Sequence, residues 1–184
     1  EVTELYTLSR PLTPVLQRAL KKSDNLSAEA MFYHLGIHRS GKKGIGFKDA
    51  QNAVYDFMKH EVGCNPDEYS IVDGSGVSLY NYISPELMIE YLKYAYSRAE
   101  IFCPLYEALP VAGVDGTLRN RMKQGKAYRN VHAKTGTVTG VSSLAGYVKA
   151  GNGDMLAFVI INQNVLKGKE ARAFQDKICE ILAH

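Results

Sequence analysis

Two short stretches of the chain carry side chains that could do chemistry together. Residues 132–140 read HAKTGTVTG, setting the cation of Lys134, the hydroxyl of Thr135 and the bare backbone of Gly136 in a run of small and β-branched residues. Residues 21–32 read KKSDNLSAEAMF, with Ser23, Asp24 and Asn25 between two helix-forming stretches. Each is ordinary when taken alone: a strand lysine is usually just an exposed side chain, and a Ser-Asp-Asn run often caps a helix. Acyl transfer at a serine needs a nucleophile, a proton carrier, oxyanion donors and a grip on the substrate's terminus. In a partly desolvated cleft Lys134 could supply the positive field of that grip, because a charge pair counts for more there than in water.

Such residues act only if the fold brings them to one place. Thr3–Ser9 alternates weakly and predicts a strand, and Thr13 with Pro14 makes a cap and first helical position for a helix through about Lys22. A second helix is expected from about Ser27 to Leu35, stopped by Gly36. A third is expected from about Phe47 to Glu61, with Ala50, Val54, Phe57 and Met58 on one face. The glycine-rich HRSGKKGIG links them, and Ser84-Pro85 opens a further helix through about Ser97. Then Val131–Val138, Val141–Lys149 and Met155–Asn162 read as three strands, the last two joined by the AGNGD turn, before an amphipathic helix over Lys169–Leu182. Short connections predict antiparallel neighbours covered by helices, an α+β fold.

Composition excludes several classes. At 184 residues, 46% hydrophobic and 22% charged, the chain reads as one ordinary globular domain and not as a disordered one. No apolar run approaches the ~18 residues that span a bilayer. The five histidines show no metal-ligand spacing, so no metal or cofactor is expected. Cys64, Cys103 and Cys179 lack CxxC spacing and read as core thiols. Between Thr117 and Lys134 stand Arg119, Arg121, Lys123, Lys126 and Arg129 with no acid. Only Tyr128 offers aromatic support for a nucleic-acid partner, so none is expected, and the stretch reads as a solvated basic rim.

SDN followed by KTG, in that order, is two of the three motifs of penicillin-binding proteins and class A β-lactamases, the third being the nucleophilic SxxK. Around them run SRPLTPVLQRALKKSDNLSAEAMF, DGSGVSLYNYISPELM, LPVAGVDGTLRNRM and HAKTGTVTGVSSLAGYV, spanning roughly residues 8 to 148. On these stretches the chain resembles the penicillin-binding D-alanyl-D-alanine carboxypeptidase/endopeptidase family, peptidase family S13, the DacB or class C low-molecular-mass type. The resemblance implies a β-lactamase/transpeptidase-like fold and an extracytoplasmic, periplasmic place of work on peptidoglycan stem peptides, through an acyl-enzyme that β-lactam antibiotics also form.

It also implies roles for the residues. Ser23 would relay a proton toward the leaving D-alanine, helped by Lys134, and Asn25 would hydrogen-bond the substrate amide. Thr135 would give its hydroxyl to the terminal carboxylate, Gly136 would let the substrate backbone lie close, and the N–H of Thr137 would be an oxyanion donor. Thr137 and Thr139 would also touch the peptide. Asp24 would orient its turn rather than react.

The nucleophile is the missing part. Among the serines only Ser40, in SGKK with Lys43, fits SxxK, but it follows SDN and lies in a basic glycine-rich loop with nothing to lower a lysine pKa. The N-terminus EVTELYTLSR has neither Met nor the layout of a signal segment. The expectation is therefore that residues 1–184 are the C-terminal portion of a catalytic domain, incomplete and inactive alone. The missing N-terminal part would be the partner that supplies the serine and further strands, and an uncovered sheet edge would invite self-association. DGSGVS, Asp73–Ser78, lacks the GxSxG form, and Leu79 stands where the resembled family usually has Arg. A β-lactamase or esterase relative and a non-catalytic binding module of the same fold are the other readings.

Overall fold

A two-residue turn at Thr139-Gly140, with Gly140 at φ +77°, returns the chain upon itself, a conformation that costs glycine little. Strand β1 (His132–Val138) therefore pairs antiparallel with β2 (Val141–Lys149), from Val138 opposite Val141 to His132 opposite Tyr147. Strand β3 (Met155–Asn162) pairs with the other side of β2, so the order is β1-β2-β3. The computed structural model describes Tyr6, residues 9–42 and residues 44–184; apart from Tyr6 and Ser9, the strand expected over Thr3–Ser9 lies outside the described residues.

Strand alternation gives the sheet two faces. On one, Ala133, Leu144, Val148 and Phe158 join Val131 in a buried core with Cys179 and Ala183, at the end of the closing helix over Gly168–Leu182. On the other, Tyr147 is fully buried, donates its hydroxyl to the Leu92 carbonyl at 2.8 Å, and meets the rings of Phe102 and Tyr106. Helices thus cover both faces.

Before the sheet come α1 (Leu12–Lys21), α2 (Asn25–Ser40), α3 (Phe47–Phe57), α4 (Pro85–Tyr96) and α5 (Ala99–Ala108), and the closing helix is α6. α4 starts where the sequence predicts, Ser84 accepting from the Leu87 amide at 3.2 Å. α3 runs into a wider π-helical turn over Met58–Val62.

Three expectations change. Gly36 does not stop α2: a Cβ there would stand 2.8 Å from the Ala50 nitrogen of α3, so the glycine permits a close crossing, and the helix ends at Gly41 with φ +66°. α5 was not expected, because Pro104 sits inside it and masks a helical stretch. The cysteines are not all core thiols: Cys179 is buried, Cys64 half-buried and Cys103 exposed.

The DGSG loop is braced by two carboxylates, one of its own and one from α2. Asp73 accepts from the amides of Gly76 and Ser78 and from the Asn81 side chain, while Glu29 of α2 accepts from the amides of Gly74 and Ser75. It is a braced turn, with Leu79 beyond it 77% exposed.

Candidate active site

The α1–α2 junction presents Ser23 through an unusual backbone. α1 ends at Lys21, and Ser23 adopts φ +54°, the left-handed region that costs a non-glycine residue strain. Asp24 then caps α2: one carboxylate oxygen accepts from the Ser27 amide at 3.0 Å and the Ser27 hydroxyl at 2.6 Å, and the other accepts from Arg18 at 3.2 Å. The Arg18 hydrogen bond first, then those from Ser27, bring the carboxyl down to about 2.

A consequence can be measured. With a folded value below the ordinary 3.8, Asp24 contributes stability that is present above about pH 4 and is lost as pH falls through the folded value. Asp24→Asn removes the titrating charge, so urea midpoints of this variant should fall less between about pH 5 and pH 2.5 than those of the unaltered chain. Equal falls would refute the assignment.

Opposite this junction lies β1. Ala133 donates its amide to the Pro110 carbonyl, away from β2, at 2.9 Å. Because strand amides alternate in direction, those of Thr135 and Thr137 share that outer edge, and beyond Ala133 no backbone partner occupies it among the described residues. Among the described residues the strand edge next to the lysine is thus unpaired.

Lys134 is half-buried on the face of the sheet that carries Tyr147. Its ammonium donates to the Ser23 hydroxyl at 2.8 Å and to the Thr135 carbonyl at 2.5 Å. Burial lowers its pKa below the ordinary lysine value, which favours handing a proton on over keeping it. Residues 111 positions apart are joined by one hydrogen bond, with a cation aimed at a hydroxyl.

The other expected site residues stand as follows. Asn25 opens α2 with its side chain exposed, one residue beyond the Asp24 cap. The Thr135 hydroxyl donates to the Thr117 hydroxyl at 2.9 Å. Gly136 has a reason within the sheet itself, since a Cβ there would run into the Ser143 hydroxyl of β2. Thr137 is exposed on β1, and Thr139 lies in the hairpin turn, five residues from Lys134 and so about 16 Å along the strand.

Thr117 was missed by sequence reasoning. It lies in a 3-10 turn over Gly116–Leu118, and nothing in its local pattern signals a contact 18 residues later. The basic rim also needs correcting. Arg121 is not solvated: it donates to Asp176 at 2.6 and 2.9 Å and to Gln175 at 3.0 Å, fastening its loop to α6, whereas Arg119, Lys123, Lys126 and Arg129 are exposed. Among the described residues no group of three or more His, Cys, Asp and Glu side chains is arranged to hold a metal ion, and no helix is long and apolar enough to cross a membrane.

Comparison with known families gives this geometry its context. Residues 3–184 match the D-Ala-D-Ala carboxypeptidase 3 (S13) family. The chain belongs to that family.

This S13 chain is 34% identical over 154 residues to the D-alanyl-D-alanine carboxypeptidase DacB of Haemophilus influenzae, a match covering 83% of the chain and 32% of that protein. The crystal structure of penicillin binding protein 4 (dacB) from the same organism, complexed with a β-lactam, matches with a TM-score of 0.82 at 31% identity, over 96% of this chain and 41% of that one. The TLA-1 extended-spectrum β-lactamase matches with a TM-score of 0.67 at 17% identity, over 93% of this chain and 62% of that one, a likeness of fold alone. The S13 chain spans about a third of the length of the curated relatives it matches. The α+β, β-lactamase-like architecture expected from the sequence is the one observed.

Proposed function

We propose that this chain is the SDN- and KTG-bearing part of a serine D-Ala-D-Ala carboxypeptidase that acts outside the cytoplasm on peptidoglycan stem peptides, through an acyl-enzyme that penicillins also form. The observation that carries the proposal is the Lys134 ammonium 2.8 Å from the Ser23 hydroxyl, beside an open strand edge, in a chain of the S13 family. Ser23 passes a proton to the leaving amine and Lys134 drives that transfer by its positive charge. The Thr135 hydroxyl turns from Thr117 to the substrate's terminal carboxylate, the Thr137 amide serves the oxyanion, and Asn25 holds the substrate amide. Thr137 and Thr139 lie along the course of a peptide added antiparallel to β1.

The attacking serine comes from a segment outside these 184 residues. Ser40 is the last residue of α2 and is exposed, not at the start of a buried helix. β3 supports the same reading. Seven of its eight residues, MLAFVIIN, are apolar yet only Phe158 is buried, as befits a strand that further strands cover.

The test is labelling with a fluorescent penicillin. The 184-residue chain alone should form no covalent adduct, whereas the protein that includes an upstream SxxK segment should. An adduct on the chain alone that disappears in Ser40→Ala would overturn the proposal.

A further inference from the structure

A second contact joins the two halves of the cleft from outside it. The Lys21 ammonium, at the last residue of α1, donates to a carboxylate oxygen of Asp115 at 2.6 Å and to the Leu109 carbonyl at 2.9 Å. The other Asp115 oxygen accepts from the Val111 amide at 2.9 Å. Both side chains are largely withdrawn from solvent, 22% and 34% exposed, so water screens this pair less than it does a surface pair. The backbones lie close as well. Gly116 has φ +54°, and a Cβ on it would stand 2.9 Å from the Lys21 carbonyl and 3.0 Å from the Pro110 ring.

The two partners sit at matching offsets from the site. Lys21 is two residues before Ser23, and Asp115 is two residues before Thr117, whose hydroxyl meets Thr135. The Asp115 loop is itself tied to β1: Val111 bridges His132, and Ala133 donates to Pro110. Ser23 is thus stretched between two anchors, Lys21 on one side and the Asp24 cap on the other. A residue so held cannot relax its left-handed backbone.

We infer that Lys21 and Asp115 are positioning residues that hold the Ser23 hydroxyl against the Lys134 ammonium, by fixing the end of α1 to the loop that frames the KTG strand. They touch no reacting atom. Their work is to set the distance across the cleft, where a misplacement of about 1 Å is enough to cost a hundredfold in rate.

This inference rests on reading Ser23 and Lys134 as a working pair, but its test reads the pair's hydrogen bond and not turnover. NMR of the 184-residue chain measures proton exchange from the Lys134 ammonium, which is slowed while Nζ is hydrogen-bonded. In Lys21→Met and Asp115→Asn the exchange should quicken by about tenfold, the worth of one lost hydrogen bond. Asp56→Asn, which removes the Arg39–Asp56 pair of α2 and α3, should leave it unchanged. If either variant fails to fold, Lys21→Arg, which keeps the charge but moves the donors, takes its place, with the same quickening expected.

Exchange within twofold of the unaltered chain in the folded variants would overturn the positioning role, as would an equal quickening in Asp56→Asn. Failure of penicillin labelling in the larger protein would instead sink the proposed activity and leave the exchange result standing.

Discussion

Replacing Lys134 by alanine lowers the rate of penicillin acylation by roughly 10²–10⁴-fold in a protein that carries both this chain and the nucleophile segment, the range lost when a positioned proton-transfer group is removed. The expectation follows from three facts about one side chain. Its ammonium reaches the Ser23 hydroxyl at 2.8 Å, its burial lowers its pKa, and it stands beside an edge of β1 that is unpaired among the described residues. Burial makes the proton easier to release, and partial withdrawal from water makes the charge of Lys134 felt more strongly by groups beside it.

Lys134→Arg should recover only a small part of the rate, because a guanidinium holds its proton far more tightly than a buried ammonium and its planar fork cannot take the same place between Ser23 and the Thr135 carbonyl. Stopped-flow or gel measurement of adduct formation decides the matter. A rate within threefold of the parent for the alanine variant would mean that the lysine is a bystander to the chemistry.

Gly146→Val is expected to cost about 3 kcal/mol or more of stability, the upper end for forcing atoms into a packed interior. Gly146 lies buried at the middle of β2, opposite Ala133. A Cβ there would collide with the His132 carbonyl and stand 2.6 Å from the Ala133 Cα and 2.8 Å from its Cβ. These are backbone and stub atoms that cannot swing aside, so the added side chain must push β1 from β2 just below the lysine. Thermal unfolding should show a midpoint lower by about 6–12 °C for a chain of this size. A midpoint within about 2 °C would mean that the strands can separate without cost, against the close approach seen at this pair.

Where the sequence was legible, the signal was local. β2 and β3 have the residue limits that alternation and the flanking Gly-rich turns predict, and α4 begins at its Ser-Pro cap. SDN and KTG could be singled out because each motif is three adjacent residues. The illegible parts depended on distant contacts. Gly36 looks like a helix stop until α3 is laid against it, and Arg121 looks like a free cation until α6 brings Asp176 to it. α5 was hidden because Pro104 reads as a break, although the helix is long enough to begin before it and its aromatic side chains find Tyr147. Lys21 and Asp115 are 94 residues apart, beyond the reach of any periodicity.

The left-handed backbone of Ser23 sets two demands on one position against each other. Glycine, and to a lesser degree asparagine, would sit there with less strain. Selection of variants for heat resistance alone would therefore drift toward exchanging the serine, and every such gain would remove the hydroxyl that Lys134 addresses. On the proposed role of Ser23, the junction between α1 and α2 is a place where a sturdier protein and a more capable one are different molecules.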